Sequence, residues 1–168
     1  LLILPLFPQY ASSTTGSALE AVYREASRDW NISMLEVIPS FYDHPDFTKA
    51  FAVQGERYMK NSPDHILFSF HGLPEHHLFR GDEENHGCLK RDDCCSMIEI
   101  GNRNCYRAQS FKSAELIASH LKLDHEQWSV SFQSRLGRAE WIKPYTENRI
   151  RELAQKGMKR LLVFCPAF

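Results

Sequence analysis

His71 follows directly on an apolar run, Ile66–Phe70, and is succeeded at once by Gly72, Leu73 and Pro74. An imidazole at such a point has little steric cover, titrates near neutral pH, and can accept a proton or bind a metal ion. A loop histidine bonded to a carbonyl is the other reading of the same residues. Four of the five cysteines, Cys88, Cys94, Cys95 and Cys105, crowd into one stretch, with five, no and nine residues between successive members. Thiolates this close suit a structural zinc or an iron–sulfur cluster, whereas a disulfide framework spreads its cysteines through the chain. The Cys-x2-Cys knuckles of zinc ribbons are absent and the adjacent pair suits a cluster with two irons. The pattern therefore favours a cluster, with zinc as the alternative. Cys165 lies in the apolar run Leu161–Cys165 and reads as a buried core residue.

Two further segments carry groups that could meet a ligand. Pro8–Ser17 reads PQYASSTTGS, and its hydroxyls and glycine at a helix start can bind an anion or simply cap the helix. Tyr10 is placed just past a strand end and could share a crevice with His71. Ser131–Thr146 reads SFQSRLGRAEWIKPYT, in which Arg135, Arg138 and Lys143 could pair with ligand carboxylates and Trp141 could form a flat apolar wall. Solvated surface charge accounts equally well for each of those cations.

The elements that must position these groups follow from periodicity. Runs of β type cover Leu1–Leu6, Ile32–Ile38, His65–Phe70, Gln127–Phe132 and Arg160–Cys165, and most are continuously apolar, as in strands buried on both faces of a parallel sheet. Gln127–Phe132 alternates, with Trp128, Val130 and Phe132 opposed to Ser129 and Ser131, and is read as an edge. Helical spacing covers four segments. The first, after a Ser17/Glu20 capping box, carries Leu19, Val22, Tyr23 and Ala26; the others span Asp46–Asn61, Gln109–Leu121 and Thr146–Lys156, the last ending at Gly157. The alternation predicts an α/β fold, a doubly wound and mainly parallel sheet with right-handed crossovers. Leu73 to about Tyr106 is longer than a βα connection needs and is expected to have a function of its own.

Composition narrows the classes. With 168 residues, 43% apolar, and a net charge of −1, the chain can build a core and lacks the basic balance of a nucleic-acid binder. No apolar run reaches the length of a bilayer span, and Leu1–Tyr10 has neither a charged leader nor a cleavage site, so a cytoplasmic setting is expected. The apolar runs at both ends, with no initiator Met, read as a piece of a longer protein.

Several of these segments, in order, resemble one family, the ferrochelatases. PQYASSTTGS (Pro8–Ser17) is similar to the family's PQYS-x-x-TTGS segment and SFHGLP (Ser69–Pro74) to its S-x-H-x-[LI]-P motif. RGD (Arg80–Asp82) is similar to its GDP turn, and SFQSRLGRAEWIKPYT to its [WF]QS…G…W-x-x-P stretch. The resemblance covers essentially the whole chain. It implies a chelatase-like pair of Rossmann-like domains, only partly present: residues 1–30 as the last strand and helix of the first, 31–168 as most of the second, and a Cys-rich insertion at about 80–106. It implies insertion of Fe²⁺ into protoporphyrin IX, a lyase reaction of haem biosynthesis, with coproporphyrin the alternative substrate and the TTGS form closer to protoporphyrin users. His71 matches the family's essential histidine, acceptor of pyrrole protons or ligand to the substrate iron. Tyr10 and Trp141 match porphyrin-cleft residues. Ser12 stands where some members carry a cluster cysteine, so the resemblance points instead to the group whose [2Fe–2S] cysteines lie in an internal insertion, here Cys88, Cys94, Cys95 and Cys105. The family's catalytic carboxylate is expected after Phe168, outside this sequence, which implies that the fragment alone is inactive. Porphyrin and ferrous iron are the expected partners, without nucleic acid and with peripheral membrane contact left open. A non-catalytic iron–sulfur module that binds haem, and a chelatase for another divalent metal, remain as alternatives.

Overall fold

The protein was studied as a computed structural model that describes residues 1–85, 87–91 and 93–167. In chain order the elements are β1 (Leu2–Ile3), α1 (Ser17–Ala26), β2 (Glu36–Val37), α2 (Pro45–Met59), β3 (His65–His71), α3 (Glu75–Gly81), α4 (Tyr106–His120), β4 (Trp128–Gln133), α5 (Thr146–Gln155) and β5 (Leu161–Phe164). A π-helical turn, Ser12–Gly16, leads into α1. Every strand pair is parallel: β1 with β2 in one sheet, and β4-β3-β5 in another.

The central strand explains the second sheet. His65–Phe70 are all buried, so an uninterrupted apolar run is what a strand covered on both faces requires. Residues on one face, Phe68, Phe70, Val130 and Phe132, meet α4 through Phe111, and Phe68 stacks on Phe164 at 5.2 Å. The other face is small and polar. Ser69 and Ser131 both hydrogen-bond the Thr146 hydroxyl at 2.9 and 2.8 Å, and Ser129 accepts from Arg149 Nε at 3.1 Å. Helix α5 therefore lies on that face, opposite α4, which is the doubly wound arrangement expected of right-handed crossovers. The alternation in β4 thus marks two helix-covered faces; β4 is last in its sheet, but its serines are turned to α5. α2 crosses β5 so closely that a Cβ on Gly55 would collide with the Phe164 ring, which accounts for a glycine in a helix interior.

Three expectations are corrected. Ser17 does not cap α1: the π-helical turn precedes it, and its hydroxyl donates back to the carbonyls of Ser13 and Thr14 at 3.0 and 3.1 Å. Cys165 is exposed, because β5 buries only Phe164 fully and leaves Val163 open. The terminal runs Leu1–Leu6 and Ile32–Ile38 reduce to two ladder pairs, Leu2↔Glu36 and Ile3↔Val37; Pro5 and Pro39 flank them and cannot donate to a ladder. Gly157, by contrast, takes the left-handed φ of 87° and closes α5 through its N–H to Ala154 O, as a C′ glycine does.

The base of β3 holds a buried imidazole. His65 Nε2 is 2.9 Å from Ser129 Oγ, and burial, with the Arg149 charge second, pulls its ionisation below the ordinary histidine value of 6.5. The unfolded chain then takes up a proton near 6.5 that the folded chain resists. This contribution to stability is complete above that value and is lost as pH falls towards the lowered native value. Tm is expected to fall between about pH 7 and about pH 5, and His65→Gln to flatten that slope, read by thermal denaturation across the pH series. His77 is shifted the same way, by burial first, so a residual slope is expected in the variant.

Candidate active site and cysteine loop

His71 is the last residue of β3, paired in register with Gln133, and its side chain is half-buried. It stands beyond the carboxyl end of the central strand, where ligands bind in open α/β sheets. It lines a cavity of about 220 Å³ together with Pro8, Ser13, Thr14, Leu73 and Tyr106. The Tyr106 hydroxyl donates to His71 O at 2.7 Å, and burial pushes the ionisation of that phenol up, keeping it a donor. Gly72 follows because nothing larger fits: a Cβ there would lie 2.7 Å from Gln133 O and 3.2 Å from Trp141 Cε3. Trp141 thus packs on the backbone at Gly72, fixed by its Nε1 donating to Leu136 O at 3.0 Å, but it lines neither this cavity nor its neighbour.

The neighbouring cavity, about 360 Å³, shares the walls Ala11, Leu73 and Tyr106 with the first. Tyr10 faces this larger space, with Ser12, His77, Arg80 and Arg103, and the four loop cysteines complete its lining. Tyr10 is therefore next door to His71, one wall away. Arg135, Arg138 and Lys143 line neither cavity. Arg135 pairs with Glu147 at 3.6 Å and lies over the Tyr145 ring, and Lys143 pairs with Glu140 at 3.4 Å.

The loop brings its cysteines together without a disulfide. Cys88, Cys94 and Cys95 are buried and Cys105 nearly so. Cys94 and Cys95 have their sulfurs 3.6 Å apart, and Cys105 stands near enough to Cys95 and to Cys88 for both thiols to act on its ionisation. Among the described residues no group of three or more ligating side chains has ready-made metal-site geometry. The Cys105 thiol, then burial, holds the Cys95 thiol far above its ordinary range. Cys105 is pushed up to about 11, first by Cys88, and Cys94 is raised by burial. Thiols so close resist ionising one after another, and a bound cation would reverse that cost. Arg107 already acts in that direction on Cys94 and Cys95.

Polar side chains shape this loop, and sequence reasoning missed most of them. Asp82 Oδ2 accepts from the N–H groups of Gly87 and Cys88 at 3.0 and 2.9 Å, fixing the turn that presents Cys88. Buried Asn102 donates to the carbonyls of Cys94 and Met97 at 3.2 and 2.8 Å. Gln109, fully buried, accepts from Tyr10 N at 2.6 Å. Periodicity counts such residues as solvent-facing; only their crowding near the cysteines could have flagged them. The short α3, packed by Leu78, was likewise read as irregular.

No helix among the described residues is long and apolar enough to cross a membrane. Comparison with known proteins matches the ferrochelatase family model over residues 1–168. A ferrochelatase of Ectopseudomonas mendocina (strain ymp) is 51% identical over 170 residues, covering 99% of this chain and 49% of the relative. Ferrochelatases of Stutzerimonas stutzeri (strain A1501) and Coxiella burnetii (strain CbuG_Q212) are 48% and 45% identical, over 99% and 100% of this chain and 49% and 46% of theirs. The chain spans about half the length of the curated relatives it matches. With a family match from end to end and identities near one half, this chain belongs to the ferrochelatase family.

Proposed function

We propose that the protein of which this chain forms part inserts Fe²⁺ into protoporphyrin IX, completing haem. The observation that carries the reading is His71 itself, an imidazole held at the carboxyl end of the central strand in a cavity beside the Pro8–Thr14 turn. Insertion needs a bent porphyrin, a path for two N–H protons and stepwise dehydration of the metal. Distortion of the ring is paid from binding energy spread over the cleft. Proton transfer suits an imidazole, and a well-placed one is worth about 10²–10⁴-fold in rate. His71 takes that role, or donates a nitrogen to the substrate iron; Tyr10 and Trp141 serve as porphyrin-facing aromatics, Tyr10 from the larger cavity.

For the loop we propose a [2Fe–2S] cluster on Cys88, Cys94, Cys95 and Cys105, with zinc the weaker alternative. The donor set fits: four thiols on the wall of one cavity, three of them buried and all four free of disulfides. When bound, such a group supplies four metal–thiolate bonds and a one-electron redox state, which insertion of ferrous iron does not consume. Free thiols in this number suit a reducing cytoplasm. In domain terms, under the same proposal, residues 1–30 fall to one Rossmann-like unit and 31–168 to most of a second, with the β1–β2 pairing, Leu2 with Glu36 and Ile3 with Val37, crossing that boundary.

The test is an insertion assay on the full-length protein with protoporphyrin and Fe²⁺ or Zn²⁺. Appearance of the metalloporphyrin spectrum at a rate proportional to enzyme is expected. Tight porphyrin binding with no insertion would make it a carrier instead.

A further inference from the structure

α4 buries a stripe of polar groups on one face, which is an unusual way to build a core helix. Tyr106, Gln109 and Ser113 stand at i, i+3 and i+7, and all are at least nine-tenths buried. Each is hydrogen-bonded to a different residue at the candidate site. Tyr106 donates to His71 O at 2.7 Å, Gln109 Oε1 accepts from Tyr10 N at 2.6 Å, and Ser113 Oγ accepts from Gln9 Nε2 at 2.9 Å. Buried polar groups are costly unless paired, so a helix that carries three of them, all satisfied by cavity walls, is fixing those walls relative to one another.

The same stripe begins at the cysteine loop. Cys105 is the N-cap of α4, it makes no side-chain capping bond, and it lines the same cavity as Cys88, Cys94 and Cys95. Tyr106 is the next residue. Gln109 also donates through Nε2 to Arg103 O at 2.5 Å, so the loop's last turn and the Tyr10 turn hang on one amide. Where the loop ends therefore sets where α4 starts, and where α4 starts sets the Tyr106 hydroxyl.

The geometry points to Tyr106 as a positioning residue, one that holds His71 by its carbonyl and carries the condition of the cysteine loop to it. The inference rests on the reading of His71 as the reacting group. Tyr106 takes no part in the chemistry, since its hydroxyl is committed to the backbone of β3. The Gln109 link moves the Tyr10 turn together with His71.

Tyr106→Phe in the full-length protein removes only the hydroxyl. Zinc insertion is expected to lose about 3- to 10-fold in kcat, the worth of one buried hydrogen bond, with KM for porphyrin and for zinc changed less than about twofold. Ile117→Val, in the same helix and away from the site, is expected to lower Tm comparably and leave kcat unchanged. A second readout needs no turnover. Amide hydrogen exchange over residues 71–74, without porphyrin or added metal, is expected to quicken in Tyr106→Phe. Stripping the loop's metal with a chelator should quicken it in the wild type and add little in the variant. Unchanged kcat, a loss that falls on KM, or a chelation effect equal in both proteins would overturn the inference. If the wild type inserts no metal, the functional reading fails, and the exchange arm alone decides this one: equal exchange in wild type and Tyr106→Phe would reject it.

Discussion

In the full-length protein His71→Ala is expected to cost about 10²–10⁴-fold in kcat for insertion of Fe²⁺ or Zn²⁺, the range for losing a positioned proton acceptor. Porphyrin affinity should change little, because the side chain is half-buried at a strand end and most of the cavity's walls are built by other residues. The backbone around the site should persist: β3 keeps its ladder, the Tyr106 bond goes to the backbone carbonyl of residue 71, and Gly72 still donates to Gln133 O. The pair of measurements, steady-state insertion and porphyrin fluorescence quenching, separates chemistry from binding. Insertion undiminished by the substitution would remove His71 from the reaction.

The second large effect is expected at Cys105. It lines one cavity with Cys88, Cys94 and Cys95, and it also stands at the start of α4. Cys105→Ser should reduce iron and acid-labile sulfide in the purified full-length protein from stoichiometric to near zero, with loss of visible colour. Cys165→Ser, at an exposed site on β5, should leave both unchanged. A colourless wild type with one zinc and no sulfide would replace the cluster by a zinc site. The substitution should also open the stretch between Asp82 and Cys105 to proteases, since beyond Cys88 and Leu89 its described residues pack on a small apolar group, Cys94, Cys95 and Ala108 with a few neighbours, and depend on polar anchors.

The parts of the fold that could be read from the sequence are those where burial follows periodicity. Ile66–Phe70 is buried on both faces and was legible as such; α2, α4 and α5 lie within a few residues of where their apolar spacing puts them. α4 begins three residues earlier than its apolar spacing indicates, at Tyr106, because its first turn is held by a phenol and by thiols rather than by aliphatic packing. β1 and β2 shrink because an apolar run becomes a long strand only where a partner and a packed face exist, and Leu1, Leu2, Leu4 and Leu6 are exposed. Of the site, His71, the Tyr10 turn and the cysteines were visible as residue types. Their arrangement was not, since it depends on Asp82, Asn102, Gln109 and Tyr106, polar groups that bond backbone atoms, within the loop for the first two and far away in the chain for Gln109 and Tyr106. Arg135 and Lys143 had the right chemistry for a ligand and were instead satisfied by neighbouring carboxylates.

The bonds that hold the Pro8–Ser13 turn have a consequence for the order in which the molecule forms. Gln9 reaches Ser113 across 104 residues of chain and Tyr10 reaches Gln109 across 99. Contacts of that span pay their loop-closure entropy before they return anything, while the helices and the β3–β4 pairing, such as Ile66 with Trp128, close over shorter distances. The cavity at His71 is therefore among the last features to close as the chain folds, after α4 has docked on its sheet. An emerging chain meets this order in the same sense: the first wall to be synthesised is the one that must wait longest for its partner.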